Sequence, residues 1–171
     1  MAWERLGERT AYDGYRRIVA RRYRLPDGSQ RELEVKAEGP TAVVLALTRD
    51  DEVVLVREFR PGIEEVLLEL PGGEIDAGEE PSAAAERELL EETGYAGELV
   101  PLGSTVDCAY STRIRHVFAA TGCRRVATPS AEDAQLGVEL LTVAAFREHL
   151  RSGRCTDVGP GYLALDRLGL L

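Results

Sequence analysis

Apolar positions come in short, mostly β-branched runs through the early part of the chain and change to a helical spacing later. Tyr15 to Leu25 and Arg31 to Val35 read as extended segments on either side of Pro26-Asp27-Gly28-Ser29, a turn composition. Ala42 to Thr48 and Glu52 to Phe59 read the same way around Arg49-Asp50-Asp51, so two hairpins are predicted. Val66 to Leu70 is a third apolar run, ended by Pro71-Gly72-Gly73. From Ser82 to Thr93 the residues are helix formers, with Pro81 suited to the first helical position and Gly94 to the position just past the end. Glu98 to Leu102, Arg115 to Thr121 and Leu136 to Thr142 read as strands. Val143 to Ser152 reads as a helix with Thr142 as its N-cap and Gly153 beyond it, and Gly161 to Leu168 as a last helix. Strands that precede and interleave with a few helices predict a mixed α/β sandwich.

The length, 171 residues, favours one domain and allows a core large enough to need no disulfide or metal staple. Composition narrows the function classes. A net charge of −9 argues against a general nucleic-acid binder, whose affinity comes from cations on phosphates. The longest purely apolar run, Ala42 to Leu47, is far short of a membrane span, and the N-terminus has no signal-like apolar core, so a cytoplasmic protein is expected. Cys108, Cys123 and Cys155 are odd in number and widely spaced, which predicts buried, reduced thiols.

Ser82 to Thr93, wound at 100° per residue, places Glu88, Glu91 and Glu92 within about a 100° arc. Leu89, Leu90 and Ala83 are expected to pack into the core, with Ala84 and Ala85 beside the carboxylates. Like charges at this spacing cost roughly 0.2–0.5 kcal/mol per pair. Glu91 and Glu92 also face the unfavourable end of the helix dipole, at about 0.3–1 kcal/mol each. Arg87 relieves one of them through an i, i+4 contact with Glu91 but cannot neutralise three. The run is therefore either a solvated acidic face or a grip for a divalent cation, and oxygen-only ligands select Mg²⁺, Mn²⁺ or Ca²⁺ over zinc. The Gly-rich approach Pro71-Gly72-Gly73 and Asp76-Ala77-Gly78 favours the second reading, since it can expose a carbonyl, Gly72 being the obvious donor. Glu79 lies just outside the helix, within reach of Arg87.

Gly73, Glu79, Arg87, Glu88, Leu89, Glu91, Glu92, Gly94 and Tyr95 match the Nudix box, Gly-x5-Glu-x7-Arg-Glu-U-x-Glu-Glu-x-Gly-U, except that Tyr95 stands where an aliphatic residue is usual. The runs Val53 to Arg60 and Leu68 to Gly73, with the extended N-terminal arm, resemble the ADP-ribose pyrophosphatase branch of that family. The resemblance implies a Nudix fold, a mixed β-sheet sandwiched between helices, here with an N-terminal antiparallel β arm over residues 1–40 and the hydrolase domain over 41–171. It implies that Glu88, Glu91, Glu92 and the Gly72 carbonyl hold Mg²⁺ or Mn²⁺, and that Gly73, Glu79, Arg87 and Gly94 hold the box in shape. It also implies a homodimer built through the arm, with a small nucleotide as substrate and neither nucleic acid nor membrane as partner.

The expected reaction is attack of water on one phosphorus of a nucleoside diphosphate linked to another group, with ADP-ribose first among the substrates. Another nucleoside diphosphate sugar or a dinucleotide is the alternative, and a non-catalytic nucleotide sensor is the competing class. A cleaner of triphosphate pools ranks lower because of the arm. Arg57 and Arg60 are candidates for phosphate, Arg60 foremost, and Tyr110 and Arg113 for base, ribose or phosphate. Relatives of this branch often carry a base-supplying glutamate in a late loop. Here that place aligns with Ala134, flanked by Glu132 and Asp133, so those two join Glu91 and Glu92 as candidates to activate water. The proline common beyond the box in ADP-ribose hydrolases is absent from Val106 to Arg113.

Overall fold

The computed structural model describes residues 2–130 and 137–171. The chain divides into two compact units, one of residues up to Pro40 with Val106–Ile114, the other of Thr41–Thr105 with Arg115–Leu171.

The first unit is an antiparallel sheet of β1 (Glu4–Asp13), β2 (Arg17–Arg24) and β3 (Gln30–Lys36), in that order. The β2–β3 hairpin turns as predicted. Gly28 takes φ +85°, and Asp27 accepts the Ser29 amide at 2.9 Å. Strand β1 was not predicted, because Glu4–Asp13 shows no apolar alternation. Its ladder with β2 is reinforced by ion pairs instead, Arg24 with Glu4 at 2.6 Å and Arg21 with Glu8 at 2.8 Å. Segment Val106–Ile114 lies along the end of β3, where the Lys36 amide donates to the Tyr110 carbonyl at 2.8 Å.

The second unit is built on β4 (Thr41–Thr48), whose first seven residues are all buried. A strand buried on both faces reads as one continuous apolar run, as this one does. Its odd positions Val43, Leu45 and Leu47 pack with Phe146 and Leu150 of α2 (Val143–Arg151) and Ala164 and Leu165 of α3 (Val158–Arg167). Its even positions Ala42, Val44 and Ala46 pack with Ala84, Ala85 and Leu89 of α1 (Pro81–Thr93). The sheet is therefore sandwiched between helices. It is mixed: β4 pairs antiparallel with β5 (Glu52–Arg60) and β7 (Gly72–Glu74), and parallel with β9 (Ile114–Arg125). The path β10-β5-β4-β9-β8 adds β8 (Tyr95–Val106) and β10 (Val138–Thr142), and β6 (Glu65–Glu69) pairs with β5. No helix among the described residues is long and apolar enough to cross a membrane.

Three expectations are corrected. On α1, Leu90 and Ala83 are exposed, whereas Ala84, Ala85, Leu89 and Thr93 are buried, so the core-facing stripe is turned by roughly one residue and borders the glutamates directly. The last helix begins at Val158, ahead of the predicted Gly161. Cys123 and Cys155 are buried free thiols, but Cys108, in an irregular segment, is exposed.

Candidate active site

Strand β7 decides where the acidic helix begins. Gly72, Gly73 and Glu74 pair with Val43, Ala42 and Thr41, which lays the Gly-rich turn against the most buried strand of the sheet. The fit leaves no room for side chains. A Cβ on Gly72 would lie 2.2 Å from the Ala42 carbonyl oxygen, and one on Gly73 would lie 2.4 Å from a Glu88 carboxylate oxygen. Helix α1 then starts with Pro81 in its first turn and ends at Gly94, whose φ of +74° requires the absence of a Cβ. A Cβ there would also strike the Ala127 carbonyl at 2.2 Å.

Arg87 is the hub. Its guanidinium grips Glu79 through two nitrogens, each at 3.0 Å, and donates to the Glu74 carbonyl at 3.0 Å. It also reaches Glu88 at 2.7 Å and Glu91 at 3.3 Å. Glu79 in turn accepts the Asp76 amide at 3.0 Å, closing the loop onto the helix. The Arg87 contact, then the Asp76 amide, hold the Glu79 carboxyl below its usual range, and Glu79 foremost holds the Arg87 guanidinium charged. Glu92 accepts the Gly72 amide at 2.9 Å.

Glu88 thus lies against Gly73 and Glu92 against the Gly72 amide, while Glu91 shares Arg87 with Glu88. An all-oxygen donor set of three carboxylates beside one guanidinium, with a glycine cradle over Glu88, fits a hard divalent cation.

The other predicted residues take different partners. Arg57 and Arg60 leave β5 on opposite faces, as positions three apart on a strand must. Arg57 pairs with Glu139 across to β10. Arg60 turns to Glu58 at 2.6 Å, Glu69 at 3.2 Å and the Thr156 hydroxyl at 3.1 Å. Tyr110 and Arg113 belong to the first unit, where Tyr110 is exposed and Arg113 donates to the Gly39 carbonyl at 3.2 Å. Glu132 and Asp133 lie outside the described residues. The chain leading to them is anchored on α1, since the Ser130 amide donates to the Glu91 carbonyl at 2.8 Å.

Sequence reasoning missed a buried cluster. Glu69, Cys155 and Asp157 bring one ligand atom each within 4.8 Å of one another. Glu69 is wholly buried, and Arg115 reaches Asp157 at 2.6 Å. Burial, then the nearby Glu69 charge, push the Asp157 carboxyl up to about 7. Burial likewise pushes up the Cys155 thiol. Arg60, Arg115 and the Thr156 amide occupy these carboxylates, so the cluster is a charge network and not an open cation site. The available signal was an acid between two leucines in a core strand, Leu68-Glu69-Leu70.

The NUDIX domain family model matches residues 38–152. A methanol dehydrogenase activator of Bacillus methanolicus is 28% identical over 137 residues, 78% of this chain and 74% of that one. An ADP-ribose pyrophosphatase of Bacillus subtilis is 36% identical over 98 residues, 56% of this chain and 53% of that one, so the match spans about half of that relative. Among solved structures, an ADP compounds hydrolase superposes with a TM-score of 0.81 at 21% identity, covering 100% of this chain and 98% of that one.

Proposed function

Because the chain belongs to the NUDIX family, we propose that it hydrolyses a nucleoside diphosphate linked to a second group, ADP-ribose foremost, giving AMP and ribose 5-phosphate. The observation that carries this reading is the locked turn and helix. Glu88, Glu91 and Glu92 stand on one side of α1, Arg87 and Glu79 clamp the approach, and the Gly72 amide orients Glu92. The names of the ADP-ribose pyrophosphatase relatives support the substrate class.

The three glutamates and the Gly72 carbonyl are the proposed ligands of Mg²⁺, or Mn²⁺ in its place. When bound, the ion supplies charge for the diphosphate oxygens and lowers the pKa of an attacking water. Arg60 contributes a second positive charge toward a phosphate. The water-activating base is drawn from Glu91, Glu92, Glu132 and Asp133. Ser130, bonded to the backbone of Glu91, brings the chain to the helix two residues ahead of Glu132. Gly73, Glu79, Arg87 and Gly94 keep the box in shape.

The test is incubation of the folded protein with Mg²⁺ and ADP-ribose, NADH, nucleoside diphosphate sugars and nucleoside triphosphates, beside Glu92→Gln. The wild type is expected to turn over ADP-ribose best, and the variant to lose most activity at an unchanged melting temperature. A folded, metal-loaded wild type that turns over none of them sinks the reading, and full activity in Glu92→Gln removes Glu92 from the ligand set.

The proposed assembly is a cytoplasmic homodimer through the arm of residues 1–40. Strand β1, the terminal strand of its sheet among the described residues, with Tyr12 and Tyr15 exposed around its end, supports it. A monomer mass in light scattering of the full chain would overturn the dimer, and recovery of the native protein outside the cytoplasmic fraction would overturn the location.

A further inference from the structure

Glu69 is a charged side chain with no exposure at all, in a strand whose neighbours Leu68 and Leu70 pack into the core. A leucine there would fill the space without the desolvation of a carboxylate, and a buried ion pair is weak evidence of a stabilising role. Its contacts therefore ask what it holds in place.

It does not need to hold Gly72. That residue is already fixed by pairing of β7 with β4, and the neighbouring Pro71 carbonyl accepts the Val44 amide at 2.9 Å. The partners of Glu69 lie elsewhere. It accepts the Thr156 amide on both oxygens, at 2.8 and 3.1 Å, the Cys155 thiol at 3.2 Å and the Arg60 Nε at 3.2 Å. The other two nitrogens of Arg60 are taken up as well, Nη1 by Glu58 at 2.6 Å and Nη2 by the Thr156 hydroxyl at 3.1 Å. Thr156, which Glu69 anchors, is thus a second support for the same guanidinium. Burial works against the charge on Arg60, but Glu58 and Glu69 outweigh it and keep the group charged. A guanidinium has five N–H groups, so three such bonds leave two for a ligand, and its side chain keeps 30% exposure. Glu69 is three residues from Gly72, at most about 11 Å of chain.

We infer that Glu69 is a positioning residue: it fixes the Arg60 guanidinium, directly and through Thr156, so that the two remaining N–H groups meet a phosphate oxyanion. This rests on the proposed nucleotide reading and deepens it. Holding the donor in its bound orientation beforehand removes the ordering cost from binding.

The test is a double-mutant cycle read by the calorimetric affinity of the full chain for ADP with chelator present, which needs neither metal nor turnover. Arg60→Ala is expected to weaken ADP binding by about tenfold. Glu69→Gln keeps the size but turns an amide toward donors, and should weaken binding by about three- to tenfold. The double variant should bind no more weakly than Arg60→Ala. Losses that multiply assign Glu69 a general structural role and overturn the inference, as does wild-type affinity in Glu69→Gln or no ADP binding by the wild type.

If Glu69→Gln does not fold, Thr156→Val at an exposed position takes one support from Arg60. A loss of about two- to threefold that vanishes in the Arg60→Ala background supports the assignment, and any other pattern overturns it. The substrate panel separates the two claims. Coupled ADP binding without hydrolysis overturns the activity alone, and hydrolysis with multiplying losses overturns the positioning role alone.

Discussion

Two adjacent glycines should fail in different ways when each gains one methyl group. Neither has a positive φ, so the backbone of either position accepts alanine, and the outcome depends on what the new Cβ meets. At Gly73 it meets the far end of a side chain, with Glu88 Oε1 at 2.4 Å, Cδ at 2.5 Å and Oε2 at 2.8 Å. The carboxylate can swing away, but only by leaving Arg87, to which it is bonded at 2.7 Å while mostly shielded from water. Arg87 keeps Glu79 and the Glu74 carbonyl, and the charged hydrogen bond that Glu88 gives up is worth about 1.5–3 kcal/mol. At roughly 2–4 °C per kcal/mol for a chain of this size, the melting temperature should fall by several degrees. The larger effect should be on metal binding, because Glu88 no longer stands over the turn. Losing even an outer partner of a metal ligand typically costs about 10–100-fold, so displacing Glu88 itself should cost at least that.

At Gly72 the Cβ meets backbone, with the Ala42 carbonyl oxygen at 2.2 Å and the Val43 Cα at 2.9 Å. Strand β7 must part from β4, which puts the cost at the upper end of overpacking, about 3 kcal/mol or more. The expected drop is about 6–12 °C. Differential scanning fluorimetry and Mn²⁺ titration by electron paramagnetic resonance read both variants. The reasoning is refuted if Gly73→Ala binds Mn²⁺ as the wild type does, or if Gly72→Ala melts at the wild-type temperature.

Two further outcomes follow from the buried groups. Asp157 has its folded pKa raised to about 7, so between about pH 4 and 7 the native state holds a proton that the unfolded state releases. Its contribution to stability is therefore present at low pH and lost as pH rises through that window. Glu69, Arg115, Arg60 and Glu58 are the charged groups that set it. Urea unfolding at pH 5 and pH 8 should show a smaller loss for Asp157→Asn than for the wild type, and equal losses would refute the assignment. Of the three thiols, Cys108 is exposed while Cys123 and Cys155 are buried with their pKa values pushed up by burial, so a chromogenic disulfide reagent should titrate one thiol fast and two only on unfolding. Three fast thiols would contradict the packing around Phe146 and Phe118.

What the chain alone determined was whatever depends on neighbours in sequence. The helix Pro81–Thr93 was legible because proline, periodic small residues and glycine act within a few positions of one another, and so was the shared arc of Glu88, Glu91 and Glu92. The apolar run Ala42 to Thr48 was legible as a strand, and its burial on both faces came from the packing of β4. The contact of Arg87 with Glu91 follows from a single helical turn.

Tertiary structure decided the rest. Strand β1 carries no alternation, so only its ladder and ion pairs with β2 reveal it. Which residues of α1 face the core depends on how the helix is rolled onto β4, which placed Leu90 outside. Arg57 and Arg60, three apart in the same strand, part company because the pleat sends them to opposite faces. Glu69, Thr156 and Arg60 meet across 87 and 96 residues of chain, and Glu69 reads locally as a misplaced charge among leucines. A local pattern can say which groups are present, but charges this distant in sequence become partners only when the core closes and removes the water between them.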